Sequence, residues 1–332
     1  MAIATRLTER LDLKHPVVSA PMDGIAGGKL AAAVSSAGGL GLLGGGYSDD
    51  AAWFEREFAA AGNQPIGCGF ITWSLRATPQ LFADVIARKP KAIFLSFDDP
   101  EPFLSRAKAA GIAVFCQLQT RADAERALDC GVDIIVAQGT EAGGHGGSRA
   151  TFTLVPEIAD LIAKRAPETV LCAAGGIVDG RGLAAALMLG ADGVVVGTRF
   201  WAAQEALVPA SLQQAALAAG GDATVRQSLL DIVRGRAWPE RYTGRVLRND
   251  FVREWLGREQ ALRADLSQQR LRYQAASRQA DPSIAATIVG EGIGLIDSIE
   301  PAGLILERMV TEAEQLLTRG PRLTGEPVRR SD

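Results

Sequence analysis

The sequence predicts an α/β fold of the TIM (β/α)8 barrel type with a helical appendage inserted after strand eight, and three observations carry that prediction. Eight short apolar runs, rich in β-branched residues or glycine, recur at 16–20, 39–44, 65–71, 92–97, 113–118, 133–137, 170–174 and 193–196. Segments with helical spacing separate them, such as 29–37 (KLAAAVSSA) and 183–189 (LAAALML), each closed by glycine in the manner of a helix C-cap. The runs are hydrophobic almost without alternation, as strands covered on both faces of a parallel sheet require, and eight βα units are the number that closes such a sheet. An open doubly wound sheet is the alternative. Against it, Ala20-Pro21-Met22-Asp23-Gly24 stands where a Gly-x-Gly-x-x-Gly turn would follow the first strand.

The barrel is expected to occupy 1–201. From 202 to 288 Leu, Ala, Gln and Arg fall at helical spacing with few strand-like runs, which marks the appendage; its stretch 258–279 has the composition of a solvated amphipathic helix. The appendage either roofs the active-site face or builds a subunit contact, in which case the assembly is a homodimer. Residues 289–317 are expected to return to the barrel and supply its last outer helix, and 318–332 to fray as a flexible tail.

Size and charge narrow the partners. A chain of 332 residues has ample core for one large barrel, and Lys+Arg 35 against Asp+Glu 38 leaves a net charge of −3, with no basic excess for a nucleic-acid backbone or an anionic membrane. No apolar run is long enough to cross a bilayer and the first residues lack the apolar core of a signal peptide, so a soluble, cytoplasmic protein is expected. Cys68, Cys116, Cys130 and Cys172 are far apart with no Cys-x-x-Cys pair. They read as reduced core residues, without zinc or disulfide roles.

All eight strand-to-helix loops of such a barrel open on one face, so chemistry-bearing loops converge there. The most informative is 138–147 (QGTEAGGHGG), a polar, glycine-dense loop after a buried strand that holds one of only two histidines, His145. Glycine lets a planar ligand approach the backbone, and the imidazole is the side chain that titrates near neutral pH. Gly175-Gly176 after the seventh strand, followed by Asp179-Gly180-Arg181-Gly182, offers backbone N–H groups and a helix N-terminus to an anion, and Gly197-Thr198-Arg199 after the eighth adds more. Together these two loops form the usual phosphate corner of the barrel. Asp98 and Asp99 read as helix caps near Pro100, and Tyr47 and Trp73, just past strands two and three, either wall the pocket or serve as aromatic packing at strand ends, the latter being the commoner use.

These loops resemble one known family in order and spacing. Ala20-Pro21-Met22, then LAAAVSSAGGLG at 30–41, AQGTEAGGH at 137–145, AAGGI at 173–177 and GTRF at 197–200 are similar to the FMN-dependent nitronate monooxygenases, formerly 2-nitropropane dioxygenases. The resemblance spans the whole barrel. It implies FMN as cofactor, with Gly175, Gly176, Gly197 and Thr198 as the phosphate cradle and Ala20, Pro21, Met22, Gln138, Gly143, Gly144 and Val196 also at the flavin. It implies His145 as the catalytic residue. Gly69 is placed at the flavin too, but it stands where many members carry asparagine, so this chain lacks the side chain that would hydrogen-bond the flavin ring there.

The implied reaction oxidises alkyl nitronates or nitroalkanes with O2 to carbonyl compounds and nitrite. A neutral nitroalkane needs a base for its acidic C–H, a role suited to an imidazole with pKa near operating pH. A nitronate needs none, and the same ring then acts as donor or charge. Two other classes fit the same loops. One is an NAD(P)H-dependent FMN reductase acting on quinones or enoyl thioesters; the other is a flavin-binding protein without catalysis, against which the retained His145 argues.

Overall fold

The computed structural model describes residues 3–47 and 50–323. Eight parallel strands form a barrel: β1 (Val17–Ser19), β2 (Leu42–Gly44), β3 (Gly67–Ile71), β4 (Ala92–Ser96), β5 (Ala113–Leu118), β6 (Ile134–Gln138), β8 (Val170–Ala174) and β9 (Gly193–Val196). Their order around the sheet is β1-β9-β8-β6-β5-β4-β3-β2. A parallel bridge between Val18 and Leu40 joins the first strand to the segment before the second and closes the ring. Each strand falls within an apolar run identified from the sequence, except that β6 extends one residue past its run to Gln138, so the barrel expectation holds.

Strand parity divides the core into two layers, because alternate side chains point to opposite faces. Val18, Leu42, Phe94, Phe115, Ile134, Val136, Cys172 and Val195 fill the interior, and Leu7 and Leu11 of the helix Arg6–Leu11 pack on the same cluster. The other parity, including Val17, Leu43, Cys68, Ile93, Ile135, Leu171, Val194 and Val196, packs against the outer helices. The helix Ala302–Leu323 belongs to that outer layer through Ile305, Leu306, Met309, Val310 and Ala313, lying against the helices Gly28–Ser36 and Gly180–Met188. It continues past 317, where fraying was expected; the rest of that tail, 324–332, lies outside the described residues.

Among the described residues the stretch 202–288 is not all helical. The helices Ala210–Leu217, Leu229–Arg234, Asp250–Trp255, Glu259–Ala264 and Leu266–Gln279 are accompanied by two strands, β10 (Thr224–Gln227) and β11 (Thr243–Leu247). These pair antiparallel with each other, and β11 pairs with β7 (Gly144–Gly146), a three-residue strand in the glycine-rich loop. The loop after barrel strand β6 is therefore the edge of a second sheet.

The four cysteines are free, and Cys68, Cys116 and Cys172 are buried. Burial pushes the Cys116 thiol up to about 12 and raises Cys68 and Cys172 well above the ordinary range, as expected of core residues. No helix among the described residues is long and apolar enough to cross a membrane.

Close backbone approach fixes the seat of the helix Gly28–Ser36. A Cβ on Gly41 would lie 1.9 Å from the Ala31 carbonyl oxygen, whereas one on Gly220 would meet nothing within 4 Å. Gly41→Ala is therefore expected to cost about 3 kcal/mol or more in chemical denaturation, and Gly220→Ala to stay within about 1 kcal/mol.

Candidate functional site

Barrel parity carries polar residues to the top of the interior columns. Ile134 and Val136 face inward, and so, two residues on, does Gln138; Phe94 leads to Ser96 and Phe115 to Gln117 in the same way. These residues open onto a cavity of about 290 Å³ at the C-terminal end of the strands, which also touches His145, Tyr47, Phe97 and Trp238. Of the positions expected at a cofactor, Ala20, Pro21, Met22, Gln138, Gly143, Gly144, Gly175, Gly176, Gly197 and Thr198 line it, together with His145.

Two expected positions do not line the cavity. Val196 faces the outer helices, and its neighbour Val195, of opposite parity, reaches the cavity instead. Gly69 points into the barrel, but Pro21 occupies the space: a Cβ on Gly69 would lie 2.3 Å from the Pro21 Cβ. Gly69 thus shapes the cavity floor by seating Pro21.

The glycine loops divide their work. Gly175 and Gly176 have φ of 103° and 74°, which favour residues without a Cβ. A Cβ on Gly197 would meet only the Ala20 Cβ, at 3.6 Å, and both residues line the cavity, so the space beside this glycine is open to a ligand. Gly143 answers to a different constraint, since its Cβ would strike Val289 and Gly290 backbone atoms at 2.6–2.7 Å; it lets the 138–147 loop lie on the returning chain.

The helix N-terminus expected to serve an anion is already used. Asp179 caps Gly180–Met188 by accepting from the Gly182 N–H, and the Gly180 N–H donates to Glu312 at 2.8 Å. Arg199 turns away to Glu300 and the Ser298 carbonyl, each at 2.8 Å. A phosphate here would rest on the peptide groups of Gly175, Gly176, Gly197 and Thr198. Asp99 accepts from the Glu101 N–H at the start of the helix Glu101–Ala109 and pairs with Arg126, whereas Asp98 pairs with Arg76 and accepts from the Asp99 N–H; the N-cap is Pro100 without a side-chain cap, so the capping expectation does not hold for Asp98.

His145 is the most constrained side chain at the site. Its Nε2 lies 3.0 Å from both carboxylate oxygens of Asp231, and its ring stacks on Trp238 with centroids 3.5 Å apart and planes 6° from parallel. Asp231 and Trp238 escaped the sequence reading. A carboxylate inside Leu229-Leu230-Asp231-Ile232-Val233 is a legible sign of a buried acid with a partner, though nothing local names His145. Trp238 stands in a loop without periodicity.

Two arginines, Arg245 buried and Arg226 half-buried, hold the His145 loop. Arg226 donates to the carbonyls of Thr140, Ala142, Gly146 and Thr243, at 2.5–3.3 Å, and to the Thr140 hydroxyl. Arg245 reaches the Thr140 carbonyl, the Thr224 hydroxyl and Glu291. Burial, with Arg245 nearby, lowers the Arg226 guanidinium to about 10, so it stays charged at neutral pH. On the barrel side the Glu141 carboxylate accepts from the Thr151 N–H and hydroxyl.

Gln138 is oriented from behind. Its Oε1 accepts from Gln117 Nε2 at 3.1 Å and Gln119 Nε2 at 2.8 Å, leaving its own Nε2–H as donor. The fit to a flavin nucleotide rests on three features: a peptide cradle with open space beside Gly197, an oriented amide donor, and a floor of Pro21 and Met22.

Comparison with known proteins agrees with this architecture. The nitronate monooxygenase family model matches residues 4–71 and 76–312. This chain belongs to that family. The nitronate monooxygenase of Neurospora crassa is 34% identical over 92% of this chain and 91% of its own. A (3aS,4S,5R,7aS)-5-hydroxy-7a-methyl-1-oxo-octahydro-1H-indene-4-carboxyl-CoA dehydrogenase of Rhodococcus jostii is 34% identical over 68% of this chain and 64% of its own. Among solved structures, FabK of Thermotoga maritima superposes with a TM-score of 0.84 at 28% identity, covering 97% of this chain and 99% of that one. The protein is accordingly an oxidoreductase.

The clamp on the His145 loop is testable apart from chemistry. Arg226→Met leaves several buried carbonyls without a donor and should cost about 2–4 kcal/mol of stability. Amide hydrogen exchange across 139–146 should accelerate at least about tenfold, beyond the change in the barrel strands.

Proposed function

We propose that the cavity binds FMN and that the protein oxidises alkyl nitronates and nitroalkanes with dioxygen to carbonyl compounds and nitrite. The observation that carries this reading is His145, held by Asp231 and Trp238 at a cavity that Gly175, Gly176, Gly197 and Thr198 also line. FMN bound there would take up the substrate's electrons and deliver them to dioxygen. Ala20, Pro21 and Met22 would lie under the ring system, Gly143 and Gly144 at its edge, and Gln138 Nε2–H would donate to one of its acceptors. Val196 and Gly69 would support this floor from behind.

The protein's own contribution is proton transfer and position. With Nε2–H donating to Asp231, neutral His145 keeps its lone pair on Nδ1. Nδ1 then takes the α-proton of a neutral nitroalkane, and the Asp231 carboxylate stabilises the imidazolium that results. Stacking on Trp238 restricts ring rotation, so the acceptor nitrogen is presented in one orientation. For a nitronate, already deprotonated, the same ring acts as donor or positive charge beside the nitro oxygens. In this reading the barrel of 1–201 carries the cofactor and 202–288 contributes the groups that fix the base.

Purified protein loaded with FMN should consume oxygen when given propionate 3-nitronate or an alkyl nitronate under air. His145→Asn should lower kcat/KM for a neutral nitroalkane roughly 10²–10⁴-fold, and for the corresponding nitronate much less. Asp231→Asn should follow the same pattern more weakly. Equal losses on both substrates would remove the base role.

A second reading draws on the relative named as a carboxyl-CoA dehydrogenase. It is an NAD(P)H-dependent reductase acting on quinones or enoyl thioesters. Anaerobic mixing separates the two: bleaching by a nitronate with sluggish NAD(P)H supports the first, and rapid bleaching by NAD(P)H the second.

A further inference from the structure

A second cavity, of about 280 Å³, lies beside the first and shares Phe97 and Gln117 with it as walls. Three stretches build it: 97–100 after β4, 116–119 at the end of β5, and 239–242 of the appended segment. Asp123 and Arg126 of the helix Arg121–Cys130 complete the lining.

Two independent observations mark this cavity as a ligand site. Gln119 lines it at 2% exposure, and its Oε1 has no hydrogen-bond partner among the described residues. The same amide donates through Nε2 to Gln138 Oε1 at 2.8 Å, so the unmet atom is an acceptor and a ligand must bring the donor. A buried amide oxygen without a partner is costly, which favours taking one up.

The second observation is charge. Asp98, Asp99 and Asp123 line the cavity and pair with Arg76, Arg126 and Arg241. In each pair the carboxylate is the deeper partner, with side-chain exposures of 31% against 46%, 35% against 51% and 24% against 54%. Water weakens the field of the guanidiniums more than that of the carboxylates, so the interior favours a cation. Phe97, Pro100, Leu118 and Tyr242 supply apolar lining around these groups.

We propose that this cavity binds an aliphatic primary amine as its ammonium ion. Gln119 Oε1 accepts from the ammonium group, the carboxylates of Asp99 and Asp123 balance its charge, and the apolar walls take its chain. A donor at Gln119 Oε1 polarises that amide and strengthens its Nε2–H bond to Gln138, which lines the first cavity. Binding is thereby sensed at Gln138. The inference does not depend on the nitro-oxidising reading, because it uses neither His145 nor Asp231.

The test titrates n-butylammonium chloride into the purified full chain by calorimetry. 1-Butanol supplies the chain without the charge, and ammonium chloride the charge without the chain. n-Butylammonium should bind saturably and at least about tenfold more tightly than either. Gln119→Leu should weaken it about tenfold or more, and Asp123→Asn about three- to tenfold. In isotope-labelled protein the Gln138 side-chain amide resonances should shift along the n-butylammonium titration and stay fixed with 1-butanol. No saturable binding of n-butylammonium, which would mean that the cavity holds water alone, overturns the proposal. So does an affinity matched by 1-butanol or ammonium chloride, or one unchanged in both variants; Asp123→Asn decides where Gln119→Leu does not fold. Saturable binding with a silent Gln138 resonance overturns the link between the cavities and upholds the site.

Discussion

The site depends on one pairing, that of Gly144–Gly146 with Thr243–Leu247. The barrel alone would leave His145 on a glycine-rich loop with nothing to hold it, because a segment of glycines has little side-chain packing to limit its conformations. Joining the small sheet sets His145 opposite Gly244, with the imidazole lying at ordinary contact distance beside the strand. The same sheet brings Arg226 and Arg245 under the loop, so the carbonyls of Thr140, Ala142 and Gly146 are met by charged donors. Asp231 and Trp238 then fix the ring itself. A flexible loop becomes a rigid support through contacts distant in sequence, as a base that must be pre-oriented requires.

The division of labour follows from the fold. Parallel strands end at one face with their polar interior residues in a ring, which suits a flat cofactor but supplies no residue above it. Chemistry above the cofactor must come from a loop or an appended segment. Here both contribute, since the loop provides the imidazole and 202–288 provides its carboxylate partner and its stacking surface. In the proposed reading the cradle of Gly175, Gly176, Gly197 and Thr198 works through peptide groups, and Arg199 is committed to Glu300.

What the sequence disclosed and what it hid follow the range of the interactions. The eight barrel strands were legible because each is a short apolar run bounded by glycine and helical spacing, and two-sided burial leaves that pattern locally. Gly175, Gly176, Gly197 and His145 were legible as cavity-lining positions because glycine-dense loops after buried strands stand out in the sequence. Strand Gly144–Gly146 was not, since Gly-His-Gly has no strand propensity and exists only through its partner. Thr224–Gln227 and Thr243–Leu247 carry inward arginines that broke the apolar alternation by which strands are recognised. Val196 was misplaced by one step of strand parity, and the anion role given to the helix after Asp179 ignored Glu312, more than a hundred residues away, which occupies that end.

The central claim is that a flavin nucleotide lies between the peptide cradle and the clamped imidazole. A crystal structure of the protein with FMN tests it most directly. The account expects the phosphate within hydrogen-bond reach of the Gly176, Gly197 and Thr198 amides, the ring system over Pro21 and Met22, and His145 still on Asp231 at the opposite face. A phosphate bound elsewhere, or an imidazole on the far side of the barrel wall from the flavin, would contradict it.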